Sequence, residues 1–207
     1  METYKIPLRM VVLGNVDSGK SSLIGVLKTG EYDDGNGKAR SHIFNFPHEK
    51  ESGRTSSISQ QSIHIDDRKM ILVDLAGHEK YLRTTLFGVS SFFPNYSLVL
   101  MCGIRGVQQM TKEHIIASLY MNIPILLVVT KIDIAPKQKL KDNINKISRI
   151  LKSAGKIIYK VTDEESLKEY LKQKNNNDKN NIIIPMFMVS NVPVSYTHLT
   201  LPTKRIV

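Results

Sequence analysis

Apolar positions along this chain fall into two periods. Short apolar runs occur at Leu8–Leu13, Lys69–Leu75, Ser97–Cys102, Pro124–Thr130 and Ile182–Val189. Runs of this length, bounded by turn residues, predict buried strands. Gln61–Asp66 instead alternates apolar and polar residues, the mark of a half-buried strand. Asp67-Arg68 then makes a tight connection, so Gln61–Asp66 and Lys69–Leu75 predict a hairpin. Between these runs the spacing opens to the helical period. Ser21–Lys28 and His78–Gly88 are helix-compatible. Thr111 is placed to cap a helix that runs to about Met121, with Glu113 early in it. In Lys137–Lys152 the residues Leu140, Ile144, Ile147, Ile150 and Leu151 share one face. Strands alternating with helices predict an α/β domain of three layers. Its expected core is a mostly parallel six-stranded sheet with one antiparallel strand and helices on both faces.

Three stretches do not follow this pattern. Thr29–Gln60 lacks periodicity and carries Asp33, Asp34, Gly35, Gly37 and Gly53 among many Ser and Thr residues. A stretch of that length inside a compact domain predicts a functional loop. Lys156–Asn181 is hydrophilic and ends in asparagine runs. It reads as a basic helical insertion over about 154–181 that passes into a flexible low-complexity loop. Pro193–Val207 has no helical period and ends basic. Val194–Val207 looks like translated adapter sequence rather than native chain, with a disordered tail as the alternative. The expected organisation is therefore one domain over 1–192 and a non-native or disordered segment over 193–207.

Composition narrows the class. The chain has 207 residues, 41% hydrophobic and 23% charged, which suits one soluble α/β domain. A lone cysteine, Cys102, lies within an apolar run and reads as core. Met1–Lys5 leads straight into the first strand without a signal peptide, and no apolar run is long enough to span a bilayer. A cytoplasmic monomer without membrane contact is the expectation. Net charge is +10. Between Lys137 and Lys179 there are twelve Lys/Arg and six Asp/Glu, so most of the surplus lies there. The region reads as a solvated lysine-rich face, with RNA contact the alternative.

Gly14-Asn15-Val16-Asp17-Ser18-Gly19-Lys20-Ser21 fits G-x-x-x-x-G-K-[ST] at every fixed position, between a predicted strand and a predicted helix. The glycines let the backbone approach an anion. The helix start that follows, through Ser22, points its free N–H groups and positive dipole end at phosphates. Lys20 is placed to reach the β- and γ-phosphates and Ser21 to ligate Mg²⁺. The fold expected is thus a three-layer P-loop NTPase. Asp74-Leu75-Ala76-Gly77 ends a strand, where Asp74 can hold Mg²⁺ through water and Gly77 can donate its N–H to a γ-phosphate. Thr55, in the loop between the two, is in reach of a second Mg²⁺ position. Thr130-Lys131-Ile132-Asp133 bears on the base. The Asp133 carboxylate can accept from guanine N1–H and its exocyclic amine, a donor pair adenine lacks, so an ATPase or small-molecule kinase is disfavoured. The stem of Lys131 can cover the base, and Ser190-Asn191 can offer backbone N–H groups to the guanine carbonyl.

Together these stretches resemble the GTPase domain of translational GTPases of the elongation factor Tu type, and within it the eukaryotic GTP-binding protein 1 and 2 branch. The resemblance rests on Gly14–Leu27, Glu51–Ser57 (ESGRTSS), Asp74–Gly88 (DLAGHEKYLRTTLFG), Met110–His114 (MTKEH) and Val128–Asp133 (VVTKID), and covers most of 6–192. It implies a G domain that hydrolyses GTP to GDP with Mg²⁺ as a conformational switch, on the ribosome or an RNA-associated partner. In that family's terms His78 orients the attacking water. Lys20 and the loop hold phosphate, and Ser21, Thr55 and Asp74 serve the metal. Asp17 corresponds to a monovalent-cation site. A closing helix and β-barrel domains would follow 192 in a longer natural protein. Other readings are a GTP-dependent binding module with negligible turnover and, from related domains, a sulfate-activating enzyme. Three positions depart from the family pattern: Ala76 replaces proline, Thr130 replaces asparagine, and Arg54 stands where relatives carry an apolar gate. Arg54 and Arg83 are candidate arginine fingers by location alone.

Overall fold

A computed structural model describes residues 6–44, 49, 55, 58–65, 68–177 and 182–193. Its strands are β1 (Leu8–Gly14), β2 (Ser59–Ile65), β3 (Arg68–Asp74), β4 (Tyr96–Cys102), β5 (Ile125–Thr130), β6 (Ile157–Val161) and β7 (Ile183–Met188). The helices are α1 (Lys20–Thr29), α2 (Lys38–Ser41), α3 (Leu82–Ser91), α4 (Gln109–Tyr120), α5 (Lys137–Ser153) and α6 (Glu164–Asn177), with a 3₁₀ turn at Glu79–Tyr81.

All seven strands form one sheet in the order β2-β3-β1-β4-β5-β7-β6. Only β2 pairs antiparallel, in the hairpin with β3. The other pairings are parallel. Alternation along the strands feeds two cores. Val11, Leu13, Val99, Met101, Leu127 and Val129 face one side, packed with Val89 of α3, Ile115 of α4 and Ile147 and Leu151 of α5. Met10, Val12, Leu98, Leu100 and Val128 face the other, against Leu23 and Ile24 of α1 and Ile43. Central parallel strands covered on both faces must be apolar throughout, which is why their runs stand out in the sequence. Cys102 is buried among them.

Residues 157–161 differ from the expectation. They form β6, a seventh strand at the sheet edge, rather than helix. Edge strands are short and tolerate charge: Lys160 is exposed and Val161 buried, so the segment lacks the apolar run that marks its neighbours. The helix of that region starts later. Asp163 Oδ1 accepts from the Ser166 N–H at 2.8 Å, and Ser166 Oγ accepts from the Asp163 N–H at 3.1 Å, a reciprocal cap. Asn175–Asn177 belong to α6 rather than to a loop. Asn180 and Asn181 lie outside the described residues, as do Asp66-Asp67, Glu51–Arg54, Ser56-Ser57 and Val194–Val207.

Thr111 does not cap α4. The helix begins two residues earlier, after the extended Gln108, and Thr111 is buried inside it. Within Thr29–Gln60, α2 lies against α1: a Cβ at Gly25 would strike the Ala39 carbonyl, so that glycine permits the close approach. Asp33 Oδ1 accepts from the Ala39 N–H at 2.8 Å and fixes the turn into α2. Because β1, β3, β4, β5 and β7 are parallel, their carboxyl ends share one edge, and the loops after them converge there. No described helix is long and apolar enough to cross a membrane.

Candidate functional site

The loop from Gly14 to Gly19 is built by backbone conformations that few residues adopt. Gly14 has φ 145°, Asp17 φ 60° and Gly19 φ 84°. A Cβ at Gly14 would approach the Leu100 carbonyl oxygen to 2.6 Å, so only glycine fits. Side chains then hold the loop from several directions. Lys20 Nζ donates to the Gly14 and Asn15 carbonyls at 3.1 and 2.9 Å. Ser18 Oγ donates to the Asn15 carbonyl at 2.8 Å, and Asn15 Oδ1 accepts from the Val16 N–H at 2.6 Å. Thr130 Oγ1, fully buried at the end of β5, donates to the Ser18 carbonyl at 2.8 Å. From α4, His114 Nδ1 accepts the Gly14 N–H at 3.0 Å.

Behind the loop, three oxygen-bearing side chains meet. Ser21 Oγ donates to Asp74 Oδ2 at 2.6 Å, and Thr55 Oγ1 donates to the same oxygen at 3.2 Å. The two hydroxyls are 2.9 Å apart. Asp74 is completely buried, and its Oδ1 has no partner among the described residues. Burial pushes its carboxyl up, opposed chiefly by the Lys20 ammonium; burial likewise pushes Lys20 down, opposed by Asp74 and Asp17. An orphaned carboxylate oxygen beside two hydroxyls is a hard, all-oxygen donor set, which fits Mg²⁺. Gly77 packs on the Lys20 ammonium and the phosphate-loop backbone, where a Cβ would meet Lys20 Nζ and the Gly14 carbonyl.

One pocket brings together Val16, Asp17, Gly19, Lys20, Ser21, Ser22, Thr55, Gly77 and Lys131. Lys131 sits in the left-handed region at φ 56°. Asn191 closes the site near Gly19, its Nδ2 donating to the Gly19 carbonyl at 3.5 Å and its carbonyl accepting from the Asp33 N–H at 2.7 Å. Four expected residues sit elsewhere. The Thr130 hydroxyl serves the loop, and Ser190 Oγ bonds to Val192 within its own turn. Asp133 is exposed beyond the pocket lining. His78 is also exposed; its Nδ1 accepts from the Lys80 N–H at 3.2 Å and its ring meets Tyr81 edge-on. It lines a neighbouring cleft with Asn15, Val16, Asp17 and Arg105. Asp17 bonds to Arg105 at 3.3 Å.

Three residues of the site escaped sequence reasoning. Arg40 reaches the pocket from α2, whose four residues carry no pattern. Arg105 comes from the loop after β4. His114 had a readable signal, because Met110, His114 and Ser118 are spaced four apart on the buried face of α4.

The profile of the family described as Elongation factor Tu GTP binding domain matches residues 6–198. GTP-binding protein 1 of Xenopus laevis is 35% identical over 212 residues, covering 90% of this chain and 32% of its own length. GTP-binding protein 2 of Homo sapiens is 40% identical over 183 residues, covering 77% and 30%. The chain thus spans about a third of the length of these relatives. Among solved structures, the translation elongation factor SelB from Methanococcus maripaludis in complex with the GTP analogue GppNHp is similar with a TM-score of 0.59 at 18% identity, covering 90% of this chain and 31% of that one. The bacterial selenocysteine-specific elongation factor EF-Sec gives 0.61 at 19%, covering 90% and 26%. At such identities these two speak for the fold alone, which is the α/β P-loop GTPase fold. With its loop, its carboxylate-hydroxyl cluster and its profile match over 6–198, this chain belongs to the elongation factor Tu GTP-binding domain family of GTPases.

Proposed function

We propose that this chain is the switch of a translation-factor-like protein, binding GTP with Mg²⁺ and hydrolysing it to GDP and phosphate. The observation that carries the reading is the meeting of the Ser21 and Thr55 hydroxyls at Asp74 Oδ2, with Asp74 Oδ1 left without a partner among the described residues. Those three residues would hold Mg²⁺, which when bound neutralises charge on the β- and γ-phosphates. Lys20 and the backbone of 15–21 bind the phosphates. Gly77, in contact with Lys20, is placed so that its N–H senses a γ-phosphate. Asp133 and Lys131 take the guanine base, with Asn191 closing the site beside Gly19. Thr55 and the residues after Gly77 come from separate segments, so γ-phosphate can order both and its loss can release them.

His78 orients the attacking water in this proposal, and it must turn toward the phosphates to do so. Its exposed position, bonded to the Lys80 N–H outside the phosphate pocket, supports slow turnover by the chain alone and stimulation by a large partner. Membership of the elongation factor Tu GTP-binding domain family makes a ribosome or RNA-associated assembly in the cytoplasm the proposed setting. The same exposed His78 favours the second reading, a GTP-dependent binding module with negligible turnover. Single-turnover hydrolysis with and without ribosomes separates the two. Replacing His78 by alanine should abolish stimulated hydrolysis while GTP affinity is kept; stimulation that survives the replacement removes His78 from the mechanism.

A further inference from the structure

Arg105 stands on a loop fastened at several points. Its neighbour Gly106, at φ 67°, donates its N–H to the Cys102 carbonyl at 2.7 Å and closes a bridge across the turn. Asn143 of α5 donates to the Gly103 and Ile104 carbonyls at 2.8 and 3.4 Å. A Cβ at Gly106 would collide with the Asn143 amide, so the turn is tailored to that contact. The guanidinium is thereby aimed at the phosphate loop, where it meets Asp17 at 3.3 Å. Both side chains are about half exposed, at 54% and 42%. An exposed pair of this kind is weak, so a polyphosphate can displace the carboxylate as the partner of the guanidinium. Val16 and Asp17 line both the phosphate pocket and the cleft that holds Arg105 and His78, so the two spaces adjoin across the loop.

We infer that Arg105 is a built-in transition-state residue for the GTP hydrolysis proposed above, an inference that rests on that reading. In the step it serves, the water oxygen bonds to the γ-phosphorus and the bond to the β–γ bridging oxygen breaks. The electron pair stays on GDP, one proton of the water stays on the phosphate and the other is released to solvent. Arg105 swings from Asp17 to the negative charge that develops on the bridging and γ-oxygens, as an arginine supplied from within the same chain does. A guanidinium at those oxygens also supplies the positive charge that a monovalent cation held near Asp17 would otherwise supply.

The test measures how much aluminium fluoride, which with GDP mimics the transferring phosphoryl group, tightens GDP binding to the full chain. Using each protein's own GDP affinity as the reference removes any loss of folding from the comparison. The wild type should show tightening to the same degree in potassium, sodium and choline chloride. Arg105→Ala should lose it by about tenfold or more, and Arg105→Lys should restore part. Tightening that survives in Arg105→Ala overturns the inference. So does tightening in the wild type that needs potassium, and so does GDP binding that fluoride never tightens. A wild-type chain that binds no GDP at all overturns the underlying GTP reading, and the inference falls with it.

Discussion

His114 Nδ1 accepts the backbone N–H of Gly14 at 3.0 Å, tying helix α4 to the first residue of the phosphate loop. That bond requires a neutral imidazole with its proton on Nε2, and Nε2 is buried without a partner among the described residues. Burial, and then the charge of Lys20, push the imidazole down to about 4 from an ordinary value of 6.5. Between those two pH values the unfolded chain therefore binds more protons than the folded one. Stability contributed by neutral His114 is complete above 6.5 and falls as pH drops toward 4. The shift corresponds to roughly 3 kcal/mol at its full extent. Urea midpoints at pH 7, 6, 5 and 4.5 for the wild type and for His114→Gln should diverge in this window, with the variant losing less on acidification. Parallel curves would remove His114 as the acid-sensitive tie.

Gly77 shows a second close approach. An added Cβ would meet Lys20 Nζ, the Gly14 carbonyl oxygen at 2.5 Å and the Asn15 carbonyl carbon at 2.7 Å. Lys20 can bend away, but two loop backbone atoms cannot. Gly77→Ala should lower stability by about 1–3 kcal/mol through overpacking. It should weaken GTP more than GDP if Gly77 senses γ-phosphate as proposed. Thermal melts with each nucleotide check this; an equal shift with GTP and GDP would place the damage in the fold rather than in the sensing.

These two contacts mark how far the sequence could be read. The central strands were legible because burial on both faces forces unbroken apolar runs, as in Leu8–Leu13 and Pro124–Thr130. The strand-loop-helix around Gly14–Ser21 and the place of Asp74 at a strand end beside Ser21 were legible because the motif fixes residue types at fixed spacings. The edge strand Ile157–Val161 was not, since one exposed flank lets lysine interrupt the pattern. Thr130 was placed correctly at the end of its strand, but its hydroxyl is taken up by the Ser18 carbonyl of the phosphate loop. Arg105 and Arg40 were invisible for a different reason: an isolated arginine acquires meaning only when the fold carries it to the phosphate loop.

The proposed function turns on Asp133, exposed beside the phosphate pocket, reading the guanine base. Titration of the full chain with labelled GTP, GDP and ATP in Mg²⁺, beside Asp133→Asn, tests it most directly. GTP and GDP should bind and ATP should be weaker by about 10⁴-fold, since the carboxylate meets no donor pair on adenine; the variant should shift its preference toward xanthine nucleotides. Equal binding of ATP and GTP by the wild-type chain would contradict the assignment.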